Sequence, residues 1–313
     1  MAIEYPIIAV TPAMVVGDEP LGTKEKFWFE YEGEQWLYKE CRAISGSLLA
    51  GEDWSEKIAA EIARMIGILA AKVELADCLG DRGCASRKFT SDTLQLMHGN
   101  EILAEHVLGY EQGRRYGQCQ HTLEHIFAAI HKVLPEDGQR REVSAQFAGY
   151  CVLDALIGNV DRHHENWGVL WQVGESATMT IGTSIVNPQH QSSRYQLAPS
   201  FDHASSLGRE LTDQVRERKL ANRQVGAYVR RGRGGIYPLN GAQGENPLRL
   251  VESAAVCYPD YFRPGLQRLR DTQLSALQGL VDGVPDDRMS LSAKKFVVEL
   301  LDVTYTALTR ITP

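Results

Sequence analysis

Three short stretches carry side chains suited to phosphate chemistry. Lys39 closes the run Trp36-Leu37-Tyr38. Asp161-Arg162-His163-His164-Glu165-Asn166 follows a helical pattern, and Phe201-Asp202-His203 follows a β-rich stretch. Transfer of a phosphoryl group to a hydroxyl needs a carboxylate near the attacking oxygen and oxygen ligands for magnesium. An aspartate and an asparagine five residues apart supply both from one loop. A later carboxylate, Asp202, adds a second metal ligand, and a strand lysine neutralises the nucleotide phosphates. Each piece alone has a bland reading. Asp161 and Asp202 could cap helices, Asn166 could belong to a turn, and Lys39 could be an exposed strand lysine. Their order along the chain favours the chemical reading.

These residues need elements to hold them. Lys26–Tyr31 and Gln35–Lys39 alternate as strands around Glu32-Gly33-Glu34, a hairpin pattern. Asp53-x-x-Glu56 has the form of a capping box with Asp53 as N-cap. Ile58, Ile62, Met65 and Ile66 then follow helical spacing, and Gly67 ends the helix. Val73–Ala76 and Cys84–Phe89 read as strands around the turn Gly80-Asp81-Arg82-Gly83. From Ser91 the pattern is helical: Leu123, Ile126, Phe127, Ile130 and Val133 mark one helix. Val143, Phe147, Cys151 and Ile157 mark another that ends at Gly158-Asn159. Trp167–Val173 and Met179–Ile185 form a second hairpin pattern, and helical patterns return near 210–222, 265–282 and 292–310. The expected class is α+β: a small β-rich N-lobe over 1–91 and a larger helical C-lobe over 92–313.

The 313 residues suffice for two lobes, and 43% hydrophobic with 23% charged residues is ordinary for a globular protein. The net charge of -7 argues against a general nucleic-acid binder, and direct nucleic-acid binding is not expected. One stretch is locally basic: Arg209, Arg216, Arg218, Lys219, Arg223, Arg230, Arg231 and Arg233. It reads either as a solvated helix and loop or as a site for an anionic partner. The six cysteines form no C-x-x-C pair, no secretory signal opens the chain, and no apolar run spans a bilayer. Cytoplasmic location is expected, with secretion as an effector left open.

The stretch LIGNVDRHHENWGVL is similar to the catalytic loop of the HipA family of bacterial serine/threonine kinases. Gly158, Asn159, Asp161, His163 and Asn166 match its G-N-x-D-x-H-x-x-N pattern. YQLAPSFDHASSL resembles the family's metal-binding segment, with Asp202 on the metal-binding aspartate. WLYKE places Lys39 on the nucleotide lysine. LGTKEKFWF resembles the phosphate-binding loop, with Gly22, Thr23, Lys24 and Lys26 near the triphosphate. SEKIAAEIARMIGI resembles the helix that carries the lysine's glutamate partner. Family spacing selects Glu56 for that role; helix geometry also admits Glu61.

The resemblance implies a two-lobed protein-kinase-like fold with ATP and Mg²⁺ as cofactors, and γ-phosphoryl transfer to a serine or threonine of a protein substrate. It implies Asp161 as catalytic base, His163 in support of the loop, and an antitoxin-like partner. The chain departs from the pattern in leaving no room before Gly22 for an extra N-terminal subdomain. It also carries a long polar insertion over 172–194 and has no G-x-G-x-x-G. A phosphatidylinositol-type lipid kinase is an alternative. So is a metal-dependent hydrolase built on Asp161, His163, His164, Asp202 and His203, and so is a non-catalytic binding module. The resemblance also makes Thr23 a candidate for autophosphorylation. After incubation with Mg-ATP, the tryptic peptide covering Thr23 is expected to gain one phosphate by mass spectrometry; an unmodified peptide contradicts this.

Overall fold

The computed structural model describes residues 4–18, 26–45, 48–134, 137–173 and 195–313. Its strands are β1 (Ile7–Val10), β2 (Val15–Asp18), β3 (Lys26–Tyr31), β4 (Glu34–Glu40), β5 (Ala43–Ser45), β6 (Leu48–Leu49), β7 (Val73–Cys78), β8 (Asp81–Arg87), β9 (Leu94–His98), β10 (Gly168–Gln172) and β11 (Tyr195–Leu197). Its α-helices are α1 (Glu52–Met65), α2 (Gly99–His106), α3 (Leu123–Val133), α4 (Asp137–Ile157), α5 (Asp213–Ala221), α6 (Val225–Arg231), α7 (Pro247–Cys257), α8 (Pro259–Asp271), α9 (Leu274–Gly279) and α10 (Leu291–Thr309).

The β-rich lobe is a six-stranded sheet in the order β1-β7-β8-β4-β3-β2, with α1 packed on it. The β3–β4 hairpin forms as the sequence predicts, with Lys26 opposite Lys39. Glu32 and Gly33 both take positive φ, so the turn is two residues long and Glu34 already belongs to the strand. The β7–β8 turn is tighter than expected. Leu79 and Gly80 take positive φ, and Gly83 lies inside β8 rather than in the turn. A Cβ on Gly83 would sit 2.4 Å from the Lys39 carbonyl oxygen, so glycine lets β8 approach the strand that carries Lys39.

Asp53 is not an N-cap. Gly51 caps α1, and Asp53 lies in its first turn, fully buried. Its Oδ2 accepts from Arg82 at 2.8 Å and from Arg288 at 3.2 Å. Two arginines from distant parts of the chain therefore override the local capping pattern.

The larger lobe is built around α4, which is apolar on every side from Val143 to Ile157 apart from a few polar positions. It packs most closely on α8, where a Cβ on Gly265 would lie 3.3 Å from the Gly149 Cα. The region after Ser91 is not helical throughout. A three-stranded sheet, β11-β10-β9, sits at the joint between lobes. The strand over Trp167–Val173 forms as β10 and pairs with β9 and β11; its expected partner, Met179–Ile185, lies outside the described residues. The single pattern over 265–282 is two helices, α8 and α9, and α8 begins at Pro259 despite the internal Pro264. Among the described residues no helix is long and apolar enough to cross a membrane, and the six cysteines are free. The architecture is the α+β, two-lobed, kinase-like fold that the sequence predicts.

Arg288 joins residues near α10 to α1 through a buried pair. Removing one partner of a buried pair costs about 3 kcal/mol or more. Arg288→Ala is therefore expected to lower the urea unfolding free energy by about that amount with an unchanged m-value; a loss under about 1 kcal/mol would show that Arg82 alone satisfies Asp53.

Candidate active site

Lys39 stands on β4 between β3 and β8, and only 11% of its side chain is exposed. Its Nζ lies 3.1 Å from Asp202 Oδ1. Burial alone would depress the ammonium pKa. The Asp202 carboxylate, followed by that of Glu56, outweighs burial and holds it above the ordinary lysine range. Glu56 projects from α1 and is 1% exposed. Burial works against its charged form. Lys39 and then His203 reverse that and hold its pKa below the ordinary range. Among the described residues neither Glu56 oxygen accepts a hydrogen bond; the His203 ring lies beside it, with Nδ1 at 3.6 Å from Oε1. Glu61 is engaged elsewhere, accepting from Lys57 and Arg64 at 2.8 Å each. Of the two glutamates, Glu56 is the one in the electrostatic field of Lys39.

The loop after α4 starts with a helix stop. Gly158 takes φ +65°, and the Asn159 amide donates back to the Asp154 carbonyl at 2.8 Å, a Schellman ending. The loop is then tied by side chains. Asn159 Nδ2 donates to Asp154 Oδ1 at 2.7 Å, and the Asp161 amide donates to Asn159 Oδ1 at 3.1 Å. Arg162, 2% exposed, grips Asp154 bidentately at 2.8 Å through Nε and Nη2. It also donates to the Asn166 carbonyl at 2.6 Å and to Ser200 Oγ at 2.9 Å. Asn166 Nδ2 closes the loop on the Asp161 carbonyl at 2.8 Å. That bond fixes the amide orientation, and no hydrogen bond among the described residues uses Asn166 Oδ1.

Asp161 projects from this loop with 33% of its side chain exposed. Burial first, and then the nearby Asp202, raise its pKa; Ser205 Oγ, donating to Oδ2 at 3.3 Å, works the other way. Asp202 follows β11. Ser200 pins this segment: its amide donates to the Leu69 carbonyl and its own carbonyl accepts from Ala71, both at 2.9 Å. Asp202 itself takes φ +60°, a left-handed conformation that costs an L-residue about 1 kcal/mol. Ser200 Oγ also meets His203 Nε2 at 2.7 Å. A continuous chain of contacts thus runs from Asp154 through Arg162, Ser200 and His203 to Glu56.

The histidines have separate duties. His163 Nδ1 accepts from the Glu165 amide at 3.2 Å, which puts its proton on Nε2, 4.0 Å from Asp161 Oδ1. Burial, then Arg115, lower its pKa to about 4. His164 Nδ1 meets the Tyr110 hydroxyl at 2.8 Å. His203 turns to Ser200 and Glu56. Among the described residues no group of three or more His, Cys, Asp or Glu side chains is arranged to hold a metal. The arrangement differs from the hydrolase alternative, which needs these rings to converge. Asp202 and Asn166 instead offer hard oxygen donors, which suit a magnesium ion that completes its shell with phosphate and water.

A cavity of about 620 Å³ is lined by Lys26, Lys39, Asp161, Asp202 and Ser205, among others. Gly22, Thr23 and Lys24 lie outside the described residues. The sequence reading missed Asp154 and Ser200, gave Arg162 no role, and placed His203 only in the hydrolase alternative. A signal was present in Asp154, a lone acid inside the buried run Val152–Ile157, because such a charge requires a partner.

The sequence matches the family model of the HipA-like C-terminal domain over residues 20–233. The structure is similar to that of the Helicobacter pylori proinflammatory kinase CtkA. The TM-score is 0.77 at 20% identity, covering 97% of each chain. It is also similar to HipA of Shewanella oneidensis, seen in complex with HipB and operator DNA. There the TM-score is 0.57 at 11% identity, covering 92% of this chain and 65% of that one. No curated protein sequence matches the chain.

His121 adds a pH-dependent support behind the loop. Its Nε2 accepts from Trp167 at 3.0 Å and its Nδ1 donates to the Gly235 carbonyl at 2.7 Å. Burial is the main cause that lowers its pKa from 6.5 to about 3. Below pH 6.5 the unfolded chain takes up a proton that the folded chain refuses, so the stability held by His121 is present above that pH and lost as pH falls toward 3. The slope approaches about 1.4 kcal/mol per pH unit. Urea unfolding between pH 7 and pH 4 should show His121→Gln losing stability less steeply than wild type; equal slopes would contradict this.

Proposed function

We propose that this chain, which belongs to the HipA-like C-terminal domain family, is an ATP- and magnesium-dependent kinase acting on serine or threonine hydroxyls of a protein. The observation that carries the reading is the convergence of Lys39, Asp161 and Asp202 on one cleft, with Lys39 and Asp202 3.1 Å apart and Asn166 bonded to the Asp161 carbonyl behind it. The family match and the fold shared with the kinase CtkA and with HipA support it.

In this reading Lys39 holds the α and β phosphates, and Glu56 keeps the lysine charged and aligned. Asp202 and Asn166 hold the metal, which when bound neutralises the phosphate oxygens. Asp161 orients the acceptor hydroxyl and takes its proton. The acceptor oxygen forms a bond to the γ-phosphorus, the bond from that phosphorus to the bridging oxygen breaks, and ADP leaves with the electron pair. His163, neutral and hydrogen-bonded within the loop, supports Asp161. Residues 1–91 serve as the nucleotide lobe and 92–313 as the lobe carrying the catalytic loop. The HipA neighbour is complexed with HipB, which supports an antitoxin-like protein partner. Direct nucleic-acid binding is not part of the reading, in keeping with the net charge of -7, and the proposed location is the cytoplasm.

Two substitutions separate the roles. Asp161→Asn removes a proton acceptor while keeping its shape, so transfer is expected to fall by about 10²–10⁴-fold, with Mg-ATP affinity nearly unchanged. Asp202→Asn removes a charged ligand to a hard cation and is expected to abolish most metal-dependent nucleotide affinity. Isothermal titration and a labelled-ATP transfer assay measure both. Full activity in Asp161→Asn, or unchanged Mg-ATP binding in Asp202→Asn, would overturn the assignment.

A further inference from the structure

A second cavity of about 390 Å³ opens beside the first. Both are lined by Asp161, His163, Arg115, Tyr116 and Arg233, but Lys39 and Asp202 line only the first. The second runs the other way, toward Gly235, Tyr237 and Gly244. Asp161 therefore stands between a side furnished for phosphate and metal and a side that is free for an approaching acceptor.

The cations around this junction fall into two groups. Lys39 pairs with Asp202, Arg209 with Glu52, and Arg115 with Glu165. The side chains of Arg231 and Arg233 form no ion pair or hydrogen bond among the described residues, although both residues line the first cavity. Arg231 at the end of α6 complements the helix dipole. Arg233 lies beyond the helix cap at Gly232 and has no such role.

The backbone under Arg233 is fixed. The Gly234 amide donates to the Glu245 carbonyl at 2.7 Å, and the Glu245 amide donates to Ile236 at 2.8 Å. A Cβ on Gly244 would meet the Gly234 carbonyl oxygen at 1.8 Å, and one on Gly235 would meet that of Arg162 at 2.6 Å. These contacts clamp the segment against the catalytic loop. An arginine on an anchored backbone, its guanidinium exposed and unpaired among the described residues and lining the same cavity as Asp161, is suited to recognise an anion.

We infer that Arg233, with Arg231, binds a carboxylate or phosphate on a residue flanking the acceptor hydroxyl, so that the preferred acceptors are acidic or phosphorylated protein segments. This rests on the kinase reading for the identity of the acceptor hydroxyl, but the anion site itself does not depend on transfer.

The test uses the full chain and fluorescent peptides with one central serine flanked by Asp and Glu, by phosphoserine, by Ala, or by Lys. Anisotropy is measured for wild type, for Arg231→Glu/Arg233→Glu and for Arg231→Lys/Arg233→Lys. Wild type is expected to bind an anionic class about ten- to a hundredfold more tightly than the Ala peptide. The lysine variant should keep part of that preference, and the glutamate variant should shift it to the Lys peptide. Preference for both anionic peptides assigns a carboxylate, and for the phosphoserine peptide alone a phosphate. Equal binding of all classes by wild type overturns the inference. So does binding to phosphatidylinositol-phosphate vesicles without peptide preference, which points to a lipid headgroup. So does a matching loss of Mg-ATP affinity in both double variants, which gives the arginines to the nucleotide. Anionic peptides that bind through these arginines but gain no phosphate would leave this inference standing and remove the kinase reading.

Discussion

Arg162 holds a positive charge that never titrates in a place where it is 2% exposed. Removing such a charge from water costs several kcal/mol, so every donor must be used well. Its contacts account for that cost. Asp154 takes two hydrogen bonds, the Asn166 carbonyl one, and Ser200 one. Asp154 belongs to the central helix, Asn166 to the loop that carries Asp161, and Ser200 to the segment that carries Asp202. One planar guanidinium therefore fixes the relative position of three parts of the chain. The planar fork matters, because a lysine at this point could not reach all three in set directions.

The consequences extend to the β-rich lobe. Ser200 exchanges backbone hydrogen bonds with Leu69 and Ala71, and its hydroxyl passes the contact to His203. His203 faces Glu56 across the joint, and Lys39 of the same lobe as Glu56 balances its charge. Ser55 adds a hydrogen bond to the Ser206 carbonyl at 3.0 Å. The helix that presents Glu56 and the segment that presents Asp202 are thus parts of one polar network inside an apolar surround. Such a network is strong when each member is satisfied and costly when one is lost. The left-handed conformation at Asp202 is held by this framework.

The sequence made some of this legible, for physical reasons that differ by element. The β3–β4 hairpin is visible because strand alternation and a Glu-Gly turn are local signals. The ending of α4 at Gly158 is equally local. The parallel pairing of β1 with β7 is not visible, since the partner lies over sixty residues away and leaves no local mark. The start of helix α8 at Pro259 is concealed by Pro264, which packing in the large core overrides. The choice between Glu56 and Glu61 could not come from an apolar stripe, because α1 buries residues on nearly all sides, charged ones included. The basic stretch over 209–233 divides in space: Arg216 is buried against Asp213, Arg209 meets Glu52, and Arg231 and Arg233 face the cleft. No one-dimensional pattern separates these fates.

The central claim is that Arg162 and His203 act as one unit through Ser200 to hold the two halves of the site. The most direct measurement is a double-mutant cycle on the single-turnover phosphoryl-transfer rate, using Arg162→Met and His203→Leu. If the network acts as a unit, the second substitution adds little to the first, and the cycle gives a coupling of about 1 kcal/mol or more. If the two losses simply multiply, the halves of the site are positioned independently and the account is wrong.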